Sequence, residues 1–117
     1  MITSNKCTIL VDWAYAFDYL SILEVKEHRL GKHLSIIVEY TEHLLTQMDE
    51  EMFNQIIASK EYENLYRANA AVFDSVELAR YGQIAAKQVD DLNLKRQAAK
   101  IALQKRFWHN NLTEVKS

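Results

Sequence analysis

Proline is absent from all 117 residues, and glycine occurs only at Gly31 and Gly82. An all-β domain of this length needs many tight turns, which Gly and Pro mostly supply, so the scarcity of breakers argues for long helices. Cys7 is the single cysteine. It allows no internal disulfide and no thiolate metal site, and a lone Cys in an apolar segment reads as a small core residue. No apolar run approaches the roughly 18 to 20 residues of a membrane span. Nothing at the N-terminus resembles a signal peptide, so a cytoplasmic, reducing setting is expected. Two glycines cannot build a phosphate-cradling loop, and no serine stands in a nucleophile elbow.

What is present is the balance of an ordinary globular chain, 49% hydrophobic and 26% charged, with a length that fits one domain. The net charge of -2 hides an asymmetry. Residues 1–86 carry 7 basic and 13 acidic side chains, whereas residues 87–117 carry 7 basic and 3 acidic. An acidic body with a basic last helix reads first as complementarity between helices.

Cys7 to Val11 is short and β-branched, which predicts an extended lead-in or small edge strand over 1–11. Asp12 stands where an N-cap would, able to accept from the first-turn N–H groups. Trp13, Ala16, Leu20, Leu23 and Leu30 then recur at helical steps, with a second apolar stripe at Tyr15, Tyr19, Ile22 and Val25. Apolar on two sides, this helix is expected to be central and to end at a left-handed Gly31. A second helix is predicted over Lys32–Met48, with its seam at Leu34, Ile37, Thr41, Leu44 and Met48. Asp49 caps a third segment, residues 50 to 80, as one helix or as two with a break near Ser59. A fourth helix is predicted over Gln83–Trp108 and an irregular tail over 109–117. The expected fold is all-α: an antiparallel bundle of about four long helices.

Several polar residues fall on or beside these seams. Asn69 is in register with Leu65, Val72 and Val76, and Arg96 with Leu92, Ala99 and Leu103. A buried polar group without a partner costs on the order of 1–3 kcal/mol, so such residues need partners. The candidates for one structural network or ligand site are Asp18, Glu24, Lys26, Asn69, Glu77, Asn93, Arg96 and Lys100, with Asp74 beside them. Asn at a seam position also fixes register or oligomer state in helical assemblies.

The stretch Asp18-Tyr19-Leu20-Ser21-Ile22-Leu23-Glu24-Val25-Lys26 resembles the signature of a family of small uncharacterised helical proteins of bacterial and phage genomes. That signature runs Asp, a basic residue, Leu, Ser or Thr, Ile, Leu, Glu, Ile or Val, Lys. Leu65, Asn69, Phe73 and Glu77 are similar to its central helix. Asn93, Lys95, Arg96 and Lys100 are similar to its third block, and Glu114 to Ser117 to its closing one. Tyr19 departs from the usual basic residue and Leu94 from the usual acidic one. The resemblance implies a helical fold and a residue set, and no activity.

The chemical alternatives are thinner. Glu24/His28 and Glu39/His43 are spaced by four, whereas a carboxylate-bridged dimetal bundle uses Glu-x-x-His; they read as solvated pairs, and no metal or cofactor is expected. Lys87, Lys95, Arg96, Lys100, Lys105 and Arg106, closed by Phe107 and Trp108, hold the ingredients of a nucleic-acid surface. Yet the pI of about 6.1 is low for one. Cations also suit a helix C-terminus, and the two aromatics read as anchors. The expectation is therefore a non-enzymatic interaction or assembly module, a homodimer, with an unidentified protein partner also open. An enzyme or ligand site around Asp18 and Glu24 is a further alternative, and would need Asp18, Glu24 and Arg96 to line a cleft.

Overall fold

The computed structural model describes residues 5–110, and among these the chain is all-helical, with no strand. Five helices follow in order: α1 (Trp13–Leu30), α2 (Ser35–Leu44), α3 (Glu50–Ile57), α4 (Lys60–Arg80) and α5 (Ala86–Trp108). The count is five rather than four because the third segment divides at Ser59. The Ser59 hydroxyl donates to the Ile56 carbonyl at the end of α3 (2.6 Å) and accepts from the Tyr62 N–H in the first turn of α4 (3.1 Å). One side chain thus satisfies an orphan group on each side of the break. Residues 5–11 form no strand, so the edge-strand expectation is corrected there. Cys7 is exposed rather than part of the core. The tail beyond Asn110, with the closing Glu114–Ser117 block, lies outside the described residues.

Each boundary has a local cause. Gly31 closes α1 at φ 66°, its N–H donating to the Glu27 carbonyl (3.0 Å), as a left-handed C-cap requires. The α1–α2 connection is then clamped by Glu27, whose carboxylate accepts from the Leu34 N–H (2.9 Å) and meets His33 Nδ1 (3.0 Å). This delays α2 to Ser35, later than the pattern suggested. Asp49 caps α3 by accepting from the Met52 N–H (2.7 Å). Gly82, at φ 71°, ends α4 with paired bonds from Gly82 N to Ala79 O and Gln83 N to Leu78 O, the Schellman arrangement. That turn moves the start of α5 to Ala86, where Gln88 Oε1 accepts from the Ala85 N–H (2.9 Å).

α1 packs against α2, α4 and α5, and α4 packs along α5. The central position expected for α1 holds, and of the seam read from the sequence Leu20 and Leu23 are buried and Trp13 and Ala16 half-buried against the core, with Leu30 exposed. The buried side is wider than that seam and also takes in Ala14, Phe17, Asp18, Ser21 and Val25, while Tyr19 of the second stripe stays exposed. Phe17 is the hub of the core. Its ring meets Trp13 (6.3 Å), Phe53 (5.8 Å), Tyr62 (6.2 Å, edge-on) and Trp108 (6.4 Å). Trp108 also stacks on Trp13 at 6.0 Å, so the last helix is pinned to the first, as its aromatic end suggested. The pairs Trp13–Trp108, Ala14–Gln104 and Asp18–Arg96 run in opposite senses along α1 and α5.

Asp12 occupies the N-cap position of α1 without a side-chain capping bond, contrary to expectation. The Ala14 N–H is instead satisfied by Gln104 Oε1 of α5 (3.0 Å). Among the described residues no helix is long and apolar enough to cross a membrane.

Two stability effects follow. Phe17→Ala should cost about 3–5 kcal/mol, as for other buried aromatics. Ser59→Ala should cost about 1 kcal/mol by uncapping α4. Urea unfolding monitored by circular dichroism measures both, and the larger loss should belong to Phe17.

Candidate functional site

The polar residues divide into one closed network and one open cleft. The network is centred on Asp18, 5% exposed, with Ser21 one turn along α1 and fully buried. Asn69 reaches them from α4, its Nδ2 donating to Asp18 Oδ1 (2.9 Å) and Ser21 Oγ (2.6 Å). The Ser21 hydroxyl donates in turn to the Asp18 carbonyl (2.8 Å). From α5, Arg96 donates Nη2 to Asp18 Oδ2 (2.9 Å) and Nε to Oδ1 (3.4 Å). Lys100, one turn further, places Nζ 3.9 Å from Oδ2 and 4.5 Å from the centre of the Tyr15 ring.

A buried carboxylate needs a cation and hydrogen-bond donors, because desolvation penalises an unpaired charge by several kcal/mol. Asp18 has both. No buried side-chain nitrogen or oxygen among the described residues lacks a partner. The network is chemically quiet: its carboxylate is saturated by donors and lines neither of the clefts described below. It ties α1, α4 and α5 at one level. Four of the predicted residues, Asp18, Asn69, Arg96 and Lys100, therefore converge.

Glu24 belongs elsewhere. It is half-buried and accepts a hydrogen bond from the Tyr62 hydroxyl of α4. Burial pushes its carboxyl above the ordinary 4.5; the Tyr62 bond opposes that, Glu27 adds to it and His28 again opposes. Burial, with Glu24 alongside, also holds the Tyr62 phenol protonated far above its usual range. One turn on, His28 Nδ1 and the Tyr66 hydroxyl lie 2.7 Å apart. Glu24, Tyr62 and Tyr66 line an open cleft of about 450 Å³ between α1 and the α3–α4 junction.

Three predicted residues join neither group. Lys26 is exposed. Glu77 is exposed beside Arg80 (3.8 Å), and Asn93 is exposed with Nδ2 donating to the Val89 carbonyl (3.2 Å). Each turns away because the buried faces of its helix lie elsewhere. Asp74 pairs on the surface with Arg29 through two bonds, 2.8 and 2.9 Å, and hydrogen bonding from Arg29 holds its carboxyl below the ordinary value. Sequence reasoning missed Ser21, a network member, and Gln104, which bonds the Ala14 N–H beside the network. Gln104 continues the four-residue step of Arg96 and Lys100, and Ser21 follows Asp18 by one turn; extending either stripe would have found them.

The second Glu–His pair has other partners. Glu39 meets Lys6 (3.0 Å) and His43 meets Gln47 (3.2 Å), and no group of three metal-binding side chains forms among the described residues. Of the six cations on the last helix, Arg96 and Lys100 face Asp18 and Arg106 pairs with Glu61 (3.1 Å). A second cleft, about 610 Å³ and largely apolar, lies between the 7–11 segment, α1 and α2. Comparison of the chain with protein-family models, with curated proteins and with solved structures finds no match.

Asp18→Ala should be the most destabilising polar substitution, by about 3–5 kcal/mol, because it leaves Arg96 and Lys100 without their anion. Chemical denaturation of this variant against Lys26→Ala, expected to be near neutral, checks the ranking. Glu24 has the opposite character. Its folded-state value is raised, so its stabilising contribution is complete below 4.5 and lost as the pH climbs through the folded value. Glu24→Gln keeps an acceptor for Tyr62 and carries no charge. Its urea midpoint should gain on that of the natural protein as the pH rises above 4.5 and through the folded-state value, and a constant difference would contradict this.

Proposed function

We propose that the protein is a non-enzymatic interaction or assembly module that works as a homodimer in a cytoplasmic setting, with the outer half of the α4–α5 hairpin as the self-association surface. One observation carries this reading: residues 76–95 are exposed throughout, except for Ala79, Ile84, Val89 and Leu92, which are half-buried. Two helices alone cover one stripe of each other and leave the remainder open. Here the open part includes Val76, Leu78, Tyr81 (73% exposed) and Leu94 (58% exposed).

The charge pattern favours a second copy as the occupant. The same span carries Glu77, Asp90 and Asp91 against Arg80, Lys87 and Lys95. A neutral surface with both signs can pair unlike charges with itself about a two-fold axis. A nucleic acid would need an excess of cations, and Arg96, Lys100 and Arg106 are already engaged by acidic side chains. The likeness of the 18–26, 65–77 and 93–100 blocks to small helical proteins without an assigned activity agrees with a role in assembly. The closed Asp18 network supports it too, since it holds the hairpin at a set angle to α1 and offers no reactive group.

Light scattering coupled to size exclusion should give a mass near twice 13.7 kDa. Joint replacement of Tyr81 and Leu94 by Glu should return the monomer with unchanged helicity. A natural protein that stays monomeric at high concentration would refute the assignment.

A further inference from the structure

The cleft beside Glu24 has an imbalance that the fold leaves unresolved. A half-buried carboxylate on the central helix opens into it with a neutral hydroxyl, Tyr62, as hydrogen-bond donor, and among the described residues no lysine or arginine pairs with it. The contrast with Asp18 is direct, since that carboxylate has two cations on it. Of the nearby charges only His28, on the next turn of α1, offsets the imbalance, and the acidic neighbours enlarge it. Glu27 raises the carboxyl further, and Glu63, whose ion pair with Arg67 is a loose 3.5 Å, sits on the rim. The wall adds hydroxyl oxygens from Tyr62 and Tyr66, each with acceptor capacity left, and the exposed apolar side chain of Ile57. Lys60 stands exposed on the same rim without reaching either carboxylate. At about 450 Å³ the cleft is of small-molecule size.

We infer that this cleft binds a small organic cation, a protonated primary amine with a short apolar tail. Its ammonium N–H groups donate to the Glu24 carboxylate and to the hydroxyl oxygens of Tyr62 and Tyr66, and its tail lies on Ile57. The bound cation supplies the counter-charge that Glu24 lacks. A carboxylate ligand meets Glu24 and Glu63 as like charges, and a neutral alcohol gains nothing from the ionised form. The site does not depend on the dimer: it lies at the α1 and α3–α4 junction, away from residues 76–95.

Titration with n-hexylamine, followed by the carboxyl carbon resonance of Glu24 in NMR spectra of the whole protein, tests the assignment, with hexanol and hexanoate as neutral and anionic counterparts. The expected result is saturable binding at millimolar amine and a Glu24 titration shifted to lower pH, with neither counterpart reproducing the effect. Glu24→Gln should weaken binding at least about tenfold with an unchanged backbone spectrum, the loss of one charged partner. Lys60→Ala, which removes a like charge and leaves Glu24 intact, should tighten it. No response to hexylamine, an equal response to hexanol, or undiminished binding by the Glu24 variant would overturn the inference. A response to a lysine-containing peptide alone would overturn the small-molecule assignment.

Discussion

The Asp18 carboxylate is the constraint on which the arrangement of helices depends. It is taken out of water in the middle of α1, and such a charge is tolerable only where donors and cations meet it with good geometry. Asn69 must come from α4, and Arg96 and Lys100 from α5, all at one level along α1. Apolar packing alone tolerates sliding, because its energy varies smoothly with area buried. Bidentate contacts do not, since a shift of one residue would leave three polar groups buried without partners. The network therefore sets register, and the aromatic cluster around Phe17 supplies most of the cohesion.

This division of labour explains an odd feature of α5. Its stripe facing α1 is polar, Arg96, Lys100 and Gln104, and it closes with Trp108. Each polar member answers a specific group on α1: the Asp18 carboxylate, the same carboxylate with the Tyr15 ring, and the Ala14 N–H. The last of these replaces a cap that Asp12 does not provide. α1 is thus completed at its N-terminal end by another helix, which couples its formation to the docking of α5.

The two acidic side chains of α1 that drew notice in the sequence have opposite roles because their surroundings differ. Asp18 meets cations and is silent. Glu24 meets tyrosines and another carboxylate at the edge of an open cleft, where burial disfavours its charge. Meanwhile the hairpin formed by α4 and α5 extends past the part that α1 covers, so half of it has one neighbour only. A firmly registered body therefore carries a sparsely covered arm, and the polar interior serves structure.

Helical content, the left-handed turn at Gly31, the cap at Asp49 and the aromatic anchoring of the last helix were all legible in the chain, because each depends on residues within a few positions of one another. The need for partners at Asn69 and Arg96 was legible for the same reason, since a polar residue in an apolar register declares itself. What the sequence could not determine was which residues would answer them, or that the buried side of α1 extends from Leu20 and Leu23 to take in Phe17, Asp18 and Ser21. A helix with apolar groups on several sides has no preferred inward face of its own. Only the approach of α4 and α5, chosen by where carboxylate, amide and guanidinium can meet without water, decides it.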